Sequence, residues 1–195
     1  MLDYEKKYDM KLIAGIDEAG RGPLAGPVVC ACVIMPLDED KLIDGINDSK
    51  KLTEKKREEL FDKIISTAID FSIVEIDERT IDEINILNAT KLGMKKALEN
   101  LKIKPDIVLI DAVHIDTQIP QENIIKGDSL SYNIASASIL AKVYRDRLMK
   151  KLSLDYPQYN FAKHKGYGTK EHIALLRQYG KSKIHRESFI KKFIN

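Results

Sequence analysis

The sequence predicts one α/β domain over residues 1–195, with a mixed central sheet flanked by helices and a helical C-terminal part. Two apolar, strand-like runs follow each other across a turn rich in Gly and Pro, strand and helix patterns then alternate, and the last third has helical periodicity. With 195 residues, 44% of them hydrophobic, the chain can bury a core, and no linker longer than a turn divides it. We expect the core at about residues 1–128 and the helical part at about residues 129–195.

The first two strands are predicted at Lys11–Asp17 and Val28–Met35, on either side of the turn Gly20–Pro27. Cys30 and Cys32 lie two residues apart in the second run, so they share one face of the strand. Two cysteines cannot form a disulfide framework, and we interpret both as small core residues.

Three further strands are predicted. Phe71–Ile76 alternates like a strand, Ile107–Ile110 is a short apolar run, and Gln118–Ile125 is the next strand-like segment. Four helices are predicted from apolar residues at helical spacing and from their capping residues, at Thr53–Ile65, Asn85–Leu101, Ser129–Leu152 and Thr169–Gly180.

The formal net charge of +2 conceals an asymmetry along the chain. Residues 1–125 carry 17 Lys and Arg against 25 Asp and Glu, a net charge of −8, whereas residues 126–195 carry 15 against 5, a net charge of +10. The basic C-terminal third indicates a polyanionic partner. The alternative, that these Lys and Arg side chains only solvate helix faces, stays open on charge alone.

The composition argues against a membrane protein. The longest apolar run, Val28–Met35, is far shorter than the roughly 20 residues of a membrane-spanning helix. The N-terminal run MLDYEKKYDMK is charged and lacks the apolar segment of a secretory signal. We expect a cytoplasmic protein in a reducing compartment, with no membrane partner, that acts as a monomer.

Four acidic residues stand where predicted elements end. Asp17 and Glu18 close the first strand, Asp111 follows the apolar strand Ile107–Ile110, and Asp128 directly precedes a long helix. A carboxylate after an apolar strand needs a partner or a cation, and several converging carboxylates form an oxygen site suited to Mg²⁺ or Mn²⁺. Taken singly, Asp128 is also explained as an N-cap and Asp111 as a turn former.

Two loops combine glycine with groups that bind nucleic acid. The turn Gly20–Pro23 exposes backbone to close approach by a ligand. In the loop Lys163–Thr169, Tyr167 stands between two glycines, beside Lys165 and His164. An aromatic ring beside cations can stack on a sugar or base while the lysine holds phosphate, and His164 is a candidate additional contact.

Phosphate contacts are predicted at two further places. Asn47, Ser49 and Lys50 offer an amide, a hydroxyl and an ammonium group just before a helix, although the same residues suit an ordinary turn with a cap. Lys142 and Arg145 share one face of the long helix.

These residues belong to runs that extend over nearly the whole chain, in order: GIDEAGRGPLAGPV (15–28), NDSKKLTEKKREEL (47–60), NATKLGMKKAL (88–98), VLIDA (108–112), IKGD (125–128), ASASILAKVYRDRLM (135–149), YPQYNFAKHKGYGTKEH (156–172) and IHRESF (184–189). Together they resemble bacterial ribonuclease HII. The resemblance implies an RNase H-like α/β fold. It also implies a metal-dependent endonuclease that cuts the RNA strand of RNA–DNA hybrids, and ribonucleotides embedded in duplex DNA.

Residue by residue, the resemblance assigns roles to positions of this chain. The four acidic metal ligands of the family correspond to Asp17, Glu18, Asp111 and Asp128. The turn that recognises the ribose 2′-hydroxyl corresponds to Gly20, Arg21 and Gly22, the tyrosine at the RNA–DNA junction to Tyr167, and the phosphate-contact turn to Asn47, Ser49 and Lys50. After the third acid this chain has Ala112-Val113-His114-Ile115, which departs from the family pattern of glycine and then a basic residue.

The implied reaction is phosphodiester hydrolysis on the 5′ side of a ribonucleotide, with two Mg²⁺ or Mn²⁺ ions in the active complex. Two other functions make different predictions. A non-catalytic RNA–DNA hybrid-binding protein would hold the hybrid without nicking it. Another two-metal nuclease of the same fold would cut an all-DNA substrate equally well.

Overall fold

A five-stranded mixed sheet forms the centre of the computed structural model, which describes residues 4–9 and 12–194. The strands are β1 (Ile13–Ala19), β2 (Val28–Ile34), β3 (Asp70–Ile76), β4 (Ile107–Asp111) and β5 (Gln121–Ile124). Their order in the sheet is β3-β2-β1-β4-β5. The β1–β2 and β2–β3 pairs are antiparallel, whereas β1–β4 and β4–β5 are parallel. The predicted mixed sheet is therefore confirmed.

The largest differences from the predicted strand boundaries are in the first and last strands; the others differ by one residue at one end. Lys11, where the first strand was predicted to begin, lies outside the described residues, and β1 continues past Asp17 to Ala19 because its partner strand β2 pairs with it as far as Val29. The last strand is shorter than predicted and begins at Gln121, directly after Pro120, which has no N–H group to donate to a strand partner.

The helices are α1 (Glu54–Thr67), α2 (Glu78–Glu99), α3 (Tyr132–Asp155), α4 (Phe161–His164), α5 (Lys170–Tyr179) and α6 (Glu187–Ile190). The hydroxyls of Thr53 and Thr169 accept hydrogen bonds from the backbone N–H groups of Lys56 and His172, so both predicted N-caps are confirmed. As predicted, α5 ends before Gly180, whose φ is 76°.

The second and third helices begin at other residues than predicted. Asp77 caps the start of α2, ahead of the predicted start at Asn85. At Asn85 the backbone leaves helical geometry (φ 66°, ψ 163°), and its side chain accepts a hydrogen bond from the Asn88 N–H group, so a second helical segment starts there. Before α3 the chain forms a 3₁₀ turn, and Ser131 caps the helix.

Helices cover both faces of the sheet. One apolar cluster joins β1, β2 and β4 to α2 and contains Cys30 and Cys32, which confirms them as core residues of one strand face. Another cluster joins the opposite face to α1 and α3. At Gly15 a β-carbon would lie closer than 3.0 Å to backbone atoms of Asn133, so α3 rests directly on β1 there.

The C-terminal helices pack beside the loop between β1 and β2. Ala25 packs with Met149, Tyr159 and Phe161, while Leu24 packs in a separate cluster with residues of α5 and α6. Within the described part of the chain, no helix has both the length and the apolar character needed to cross a bilayer.

Candidate active site

Parallel pairing of β1 with β4 brings two of the predicted acids together. Ile16 lies opposite Ile110 in the register, so Asp17 and Asp111 follow at neighbouring ends of adjacent strands. Because alternate strand residues point to opposite faces, both acids point to the same face as Gly15, which is the face covered by α3.

The Asp17 carboxylate is buried beside other acids. Its Oδ1 accepts a hydrogen bond of 2.8 Å from the backbone N–H of Glu18. Burial raises the pKa of Asp17 well above its usual range, and the charges of Glu18 and Asp111 raise it further, whereas the hydroxyl of Ser138 opposes the shift. The site therefore holds negative charge at an energetic cost that a cation would relieve.

Glu18 and Asp111 are each held by one neighbour. Burial raises the pKa of Glu18, Arg21 lowers it through an ion pair with 3.5 Å between Nη1 and Oε1, and Asp111 adds to the elevation. Asp111 Oδ1 accepts a hydrogen bond of 2.8 Å from the Gly127 N–H, which ties β4 to the turn that carries Asp128.

Asp128 lies in that 3₁₀ turn, where its side chain is almost fully buried. Burial raises its pKa, Asp48 and Asp111 add to the elevation, and Lys50 opposes it. Lys50 Nζ lies 3.4 Å from Asp128 Oδ2. The turn after Asn47 thus contacts the fourth acid through Lys50.

Three of the four acids, Asp17, Glu18 and Asp111, line one cavity of about 220 Å³, whereas Asp128 is not among its lining residues. The cavity is lined by residues from β1 and the following turn, the turn before α1, β4, α3 and the loop before α5, namely Asp17, Glu18, Ala19, Gly20, Arg21, Gly22, Ser49, Lys50, Asp111, Ser138, Lys142 and Tyr167. In residues 4–9 and 12–194, no three His, Cys, Asp or Glu side chains form a group that could hold a metal ion by themselves. The donors are nevertheless all carboxylate oxygens, and Mg²⁺ is commonly bound by one or two carboxylates that substrate phosphate and water complete.

A buried arginine holds the turn after β1 through hydrogen bonds to its backbone. Arg186 donates hydrogen bonds to the carbonyl oxygens of Gly20 (2.6 Å) and Arg21 (2.9 Å). Tyr167 lies beside this turn, because a β-carbon at Gly22 would be 3.9 Å from its ring. The ring is 43% exposed, so it is available to a ligand in the cavity.

Comparison with known proteins identifies the family. The family model described as "Ribonuclease HII" matches residues 14–192. The chain belongs to the ribonuclease HII family. A ribonuclease HII from Caldicellulosiruptor saccharolyticus is 57% identical over 189 residues, which are 96% of this chain and 91% of the relative. As a member of this family, the protein is an endoribonuclease.

Two solved structures share the fold. The ribonuclease H2 from Pyrococcus horikoshii superimposes with a TM-score of 0.78 at 28% identity, over 93% of this chain and 96% of that one. A ribonuclease HII from Archaeoglobus fulgidus, solved as a complex with PCNA, has a TM-score of 0.78 at 27% identity, over 94% of this chain and 95% of that one. The predicted RNase H-like fold is confirmed.

Two side chains predicted as substrate contacts are buried in this ribonuclease HII chain. Arg145 is 1% exposed and donates to the carbonyl oxygens of Pro27 (3.0 Å), Ala25 (3.1 Å) and Lys165 (3.0 Å). His164 is 7% exposed and lies within 2.7 Å of the Tyr159 carbonyl oxygen through Nε2. Both side chains hold loops together instead of facing the cavity, which corrects the prediction for these two.

The other predicted contacts lie at or near the rim. Lys142 lines the cavity and forms an ion pair with Asp146 (2.6 Å), its neighbour one turn along α3. Asn47 is exposed, and Lys165 is half-buried; neither lines the cavity.

Sequence reasoning missed two residues of the site. Ser138 was predicted only as part of the inner stripe of α3, but its hydroxyl lines the cavity and lies 2.8 Å from that of Ser49. Arg186 belongs to the IHRESF run, which contributes to the resemblance to the family but indicates no role for this arginine. A hydroxyl residue in the mostly apolar inner stripe of α3 was the only available signal for Ser138, and none existed for Arg186.

Proposed function

We propose that this protein hydrolyses the RNA strand of RNA–DNA hybrids and also cuts on the 5′ side of ribonucleotides embedded in duplex DNA, leaving 3′-hydroxyl and 5′-phosphate ends. Membership of the ribonuclease HII family supports the hybrid as substrate. The observation that carries the proposal is the pair of carboxylates at neighbouring ends of β1 and β4, inside a cavity that lysines also line.

Asp17, Glu18, Asp111 and Asp128 would hold two Mg²⁺ or Mn²⁺ ions. The raised pKa values of Asp17, Glu18 and Asp128, caused by burial first and by neighbouring acids second, support a need for cationic charge at this place. When bound, such ions lower the pKa of the attacking water and stabilise charge on the leaving 3′-oxygen.

The cationic rim would hold the phosphate backbone. Ser49, Lys50 and Lys142 line the cavity, and Asn47 and Lys165 lie beyond its edge. In this proposal Lys50 orients the scissile strand, because it is already within 3.4 Å of Asp128 and so reaches the reacting phosphate.

Two loops would distinguish ribose from deoxyribose. A 2′-hydroxyl both donates and accepts hydrogen bonds, and the backbone of Gly20, Arg21 and Gly22 can approach it because the glycines have no side chains. The Tyr167 ring would stack on the sugar of the next nucleotide, where a 2′-hydroxyl would be crowded. Tyr167 would therefore recognise the RNA-to-DNA junction.

One chain supplies every member of this site, which supports a monomer as the active form. The proposed single domain over residues 1–195 has the same support, because Tyr167 and Arg186 of the C-terminal part act on the turn after β1. Light scattering in solution during turnover measures the molar mass and so tests whether the active form is a monomer.

The acids are tested by replacing Asp111 with Asn. The change removes ligand charge but little volume, so cleavage of a DNA duplex with one ribonucleotide should be abolished while binding of the duplex is kept. Asp128→Asn should reduce turnover less, because water can replace a ligand at the start of a turn. The matched control is Asp116→Asn, since Asp116 is an exposed surface acid paired with Lys95.

Reactions with Mg²⁺, Mn²⁺ and EDTA separate this proposal from the alternatives. Turnover near the wild-type rate in Asp111→Asn at saturating Mg²⁺ would contradict it. Binding of the hybrid without cleavage would favour a binding protein, and equal cleavage of an all-DNA duplex would favour a nuclease without ribose recognition.

Junction recognition is tested by Tyr167→Ala. We expect a much larger loss of activity on a single embedded ribonucleotide than on a continuous RNA–DNA hybrid. Tyr179→Ala is the control, because Tyr179 is also exposed but does not line the cavity. Equal losses on the two substrates would reduce Tyr167 to a general stacking residue.

A further inference from the structure

Three buried histidines lie under the loop that carries Tyr167, outside the cavity of the candidate active site. The His164 and His172 rings are stacked, with centroids 4.4 Å apart. His172 Nε2 lies 3.0 Å from Nε2 of His185. Two ring nitrogens at this distance require that one carries a proton and the other does not.

The neighbouring backbone groups determine which nitrogen carries each proton. The Ser182 N–H donates to His185 Nδ1 (2.9 Å), so the proton of His185 is on Nε2. His185 Nε2–H then donates to His172 Nε2, which leaves the proton of His172 on Nδ1. From there it is donated to the Tyr167 carbonyl oxygen at 2.9 Å.

The same reasoning fixes the third imidazole. The Gly166 N–H donates to His164 Nδ1 (3.2 Å), and His164 Nε2–H donates to the Tyr159 carbonyl oxygen (2.7 Å). All three rings are neutral in this arrangement. Burial lowers the pKa of His172 and His185, the latter to about 4, which is consistent with neutral rings at neutral pH.

The contact with His172 holds the carbonyl group of Tyr167, whose N–H donates to the His164 carbonyl oxygen at 2.9 Å. Gly166 and Gly168 flank Tyr167, and Gly166 has a φ of 83°, so the backbone on both sides is free to rotate when unrestrained. Its carbonyl oxygen is held by His172 and by the Thr169 N–H (2.8 Å), while its ring is exposed beside the turn after β1.

We infer that His172, oriented by His185, is a positioning residue that holds Tyr167 where it meets the substrate. This inference rests on the proposed function, since it concerns the residue that would recognise the RNA-to-DNA junction. His172 itself lies behind the loop and does not contact the substrate; its effect is transmitted by Tyr167.

The test compares two replacements of His172. His172→Leu removes the hydrogen-bond donor to the Tyr167 carbonyl oxygen. In His172→Asn the side-chain amide nitrogen occupies the place of Nδ1, so the donor is retained. On the embedded ribonucleotide we expect His172→Leu to lower kcat/KM about tenfold, as for the loss of one buried hydrogen bond, and His172→Asn to restore most of it. The fraction of folded protein is matched by circular dichroism before each assay.

A double-mutant cycle with Tyr167→Ala decides the inference on either substrate. If His172 acts through Tyr167, the double variant is no less active than Tyr167→Ala alone. Losses that multiply, or a His172→Asn variant as impaired as His172→Leu at equal folded fraction, would overturn it. If Tyr167→Ala affects both substrates equally, junction recognition fails, while the cycle still decides the positioning role.

Nitrogen-15 NMR of the wild-type imidazoles tests the same inference without any variant. The expected result is a proton on Nδ1 of His172 and on Nε2 of His164 and His185. A His172 ring protonated on Nε2 would have no hydrogen to donate to Tyr167, and the inference would be wrong even if His172→Leu fails to fold.

Discussion

Replacing Asp17 with Asn should make the metal-free protein more stable while abolishing its activity. Burial raises the pKa of Asp17, and the charges of Glu18 and Asp111 raise it further, so ionised Asp17 destabilises the folded state. This destabilisation is fully present above the raised pKa and shrinks as pH falls from there to the ordinary pKa of Asp, because over that interval the folded chain holds a proton that the unfolded chain has released.

The expected gain is that of removing one charge from a buried group of like charges. We expect Asp17→Asn to add about 1 to 3 kcal/mol to the free energy of unfolding at neutral pH, the order of the gain when buried charges are replaced by neutral side chains. The Asn side-chain oxygen can still accept the hydrogen bond from the Glu18 N–H, which limits the offsetting loss.

Urea denaturation in EDTA measures this gain, with Asp116→Asn as the surface control. In Mg²⁺ the wild type should be stabilised more than the variant, because the variant has lost a ligand charge. An Asp17→Asn protein that is less stable than the wild type in EDTA would refute the reasoning, since it would mean that the ionised acid contributes favourable interactions.

Three other predictions concern packing, charge and pH. Gly15→Ala should cost about 3 kcal/mol or more in urea denaturation, because the new methyl group meets the Asn133 backbone; a cost near zero would mean that α3 can move off β1. Hybrid affinity, measured by fluorescence anisotropy, should fall steeply with salt, since residues 126–195 carry a net charge of +10; an affinity independent of salt would leave them a solvated surface. Burial lowers the pKa of His185 to about 4, so the free energy of unfolding should decrease by about 3 kcal/mol from pH 6.5 to pH 4 relative to His185→Gln. Equal changes of the free energy of unfolding with pH in the two proteins would contradict a buried neutral ring.

The sheet and the acids could be predicted because their signals are local. An apolar run that ends in a carboxylate marks both a buried strand and the place where a polar site begins, as at Asp17 within β1 and at Asp111, the last residue of β4. Parallel pairing then brings such ends together whatever the connecting segments contain. The start of α2 could not be found in this way, because its first turns are polar and its cap, Asp77, follows a strand directly.

The burial of Arg145 had no local signal. Its spacing from Lys142 is that of an exposed helix face, and its hydrogen-bond partners are backbone carbonyls of Ala25, Pro27 and Lys165. A carbonyl group is present at every position and leaves no trace in residue identity. Sequence patterns therefore indicate the side chains of a site far better than the groups that hold its loops.

The two buried arginines explain how two separate loops keep one geometry. Arg186 donates to Gly20, Arg21 and Gly26, and Arg145 joins the same turn to the loop that carries Tyr167. Burial lowers the pKa of Arg186 to about 9, which still leaves it charged at neutral pH, and a guanidinium has five donors in a fixed plane. A lysine could neither span these carbonyls in one plane nor keep its charge as firmly when buried. The two side chains therefore fix the geometry of the turn, and their positive charge behind it favours an approaching phosphate.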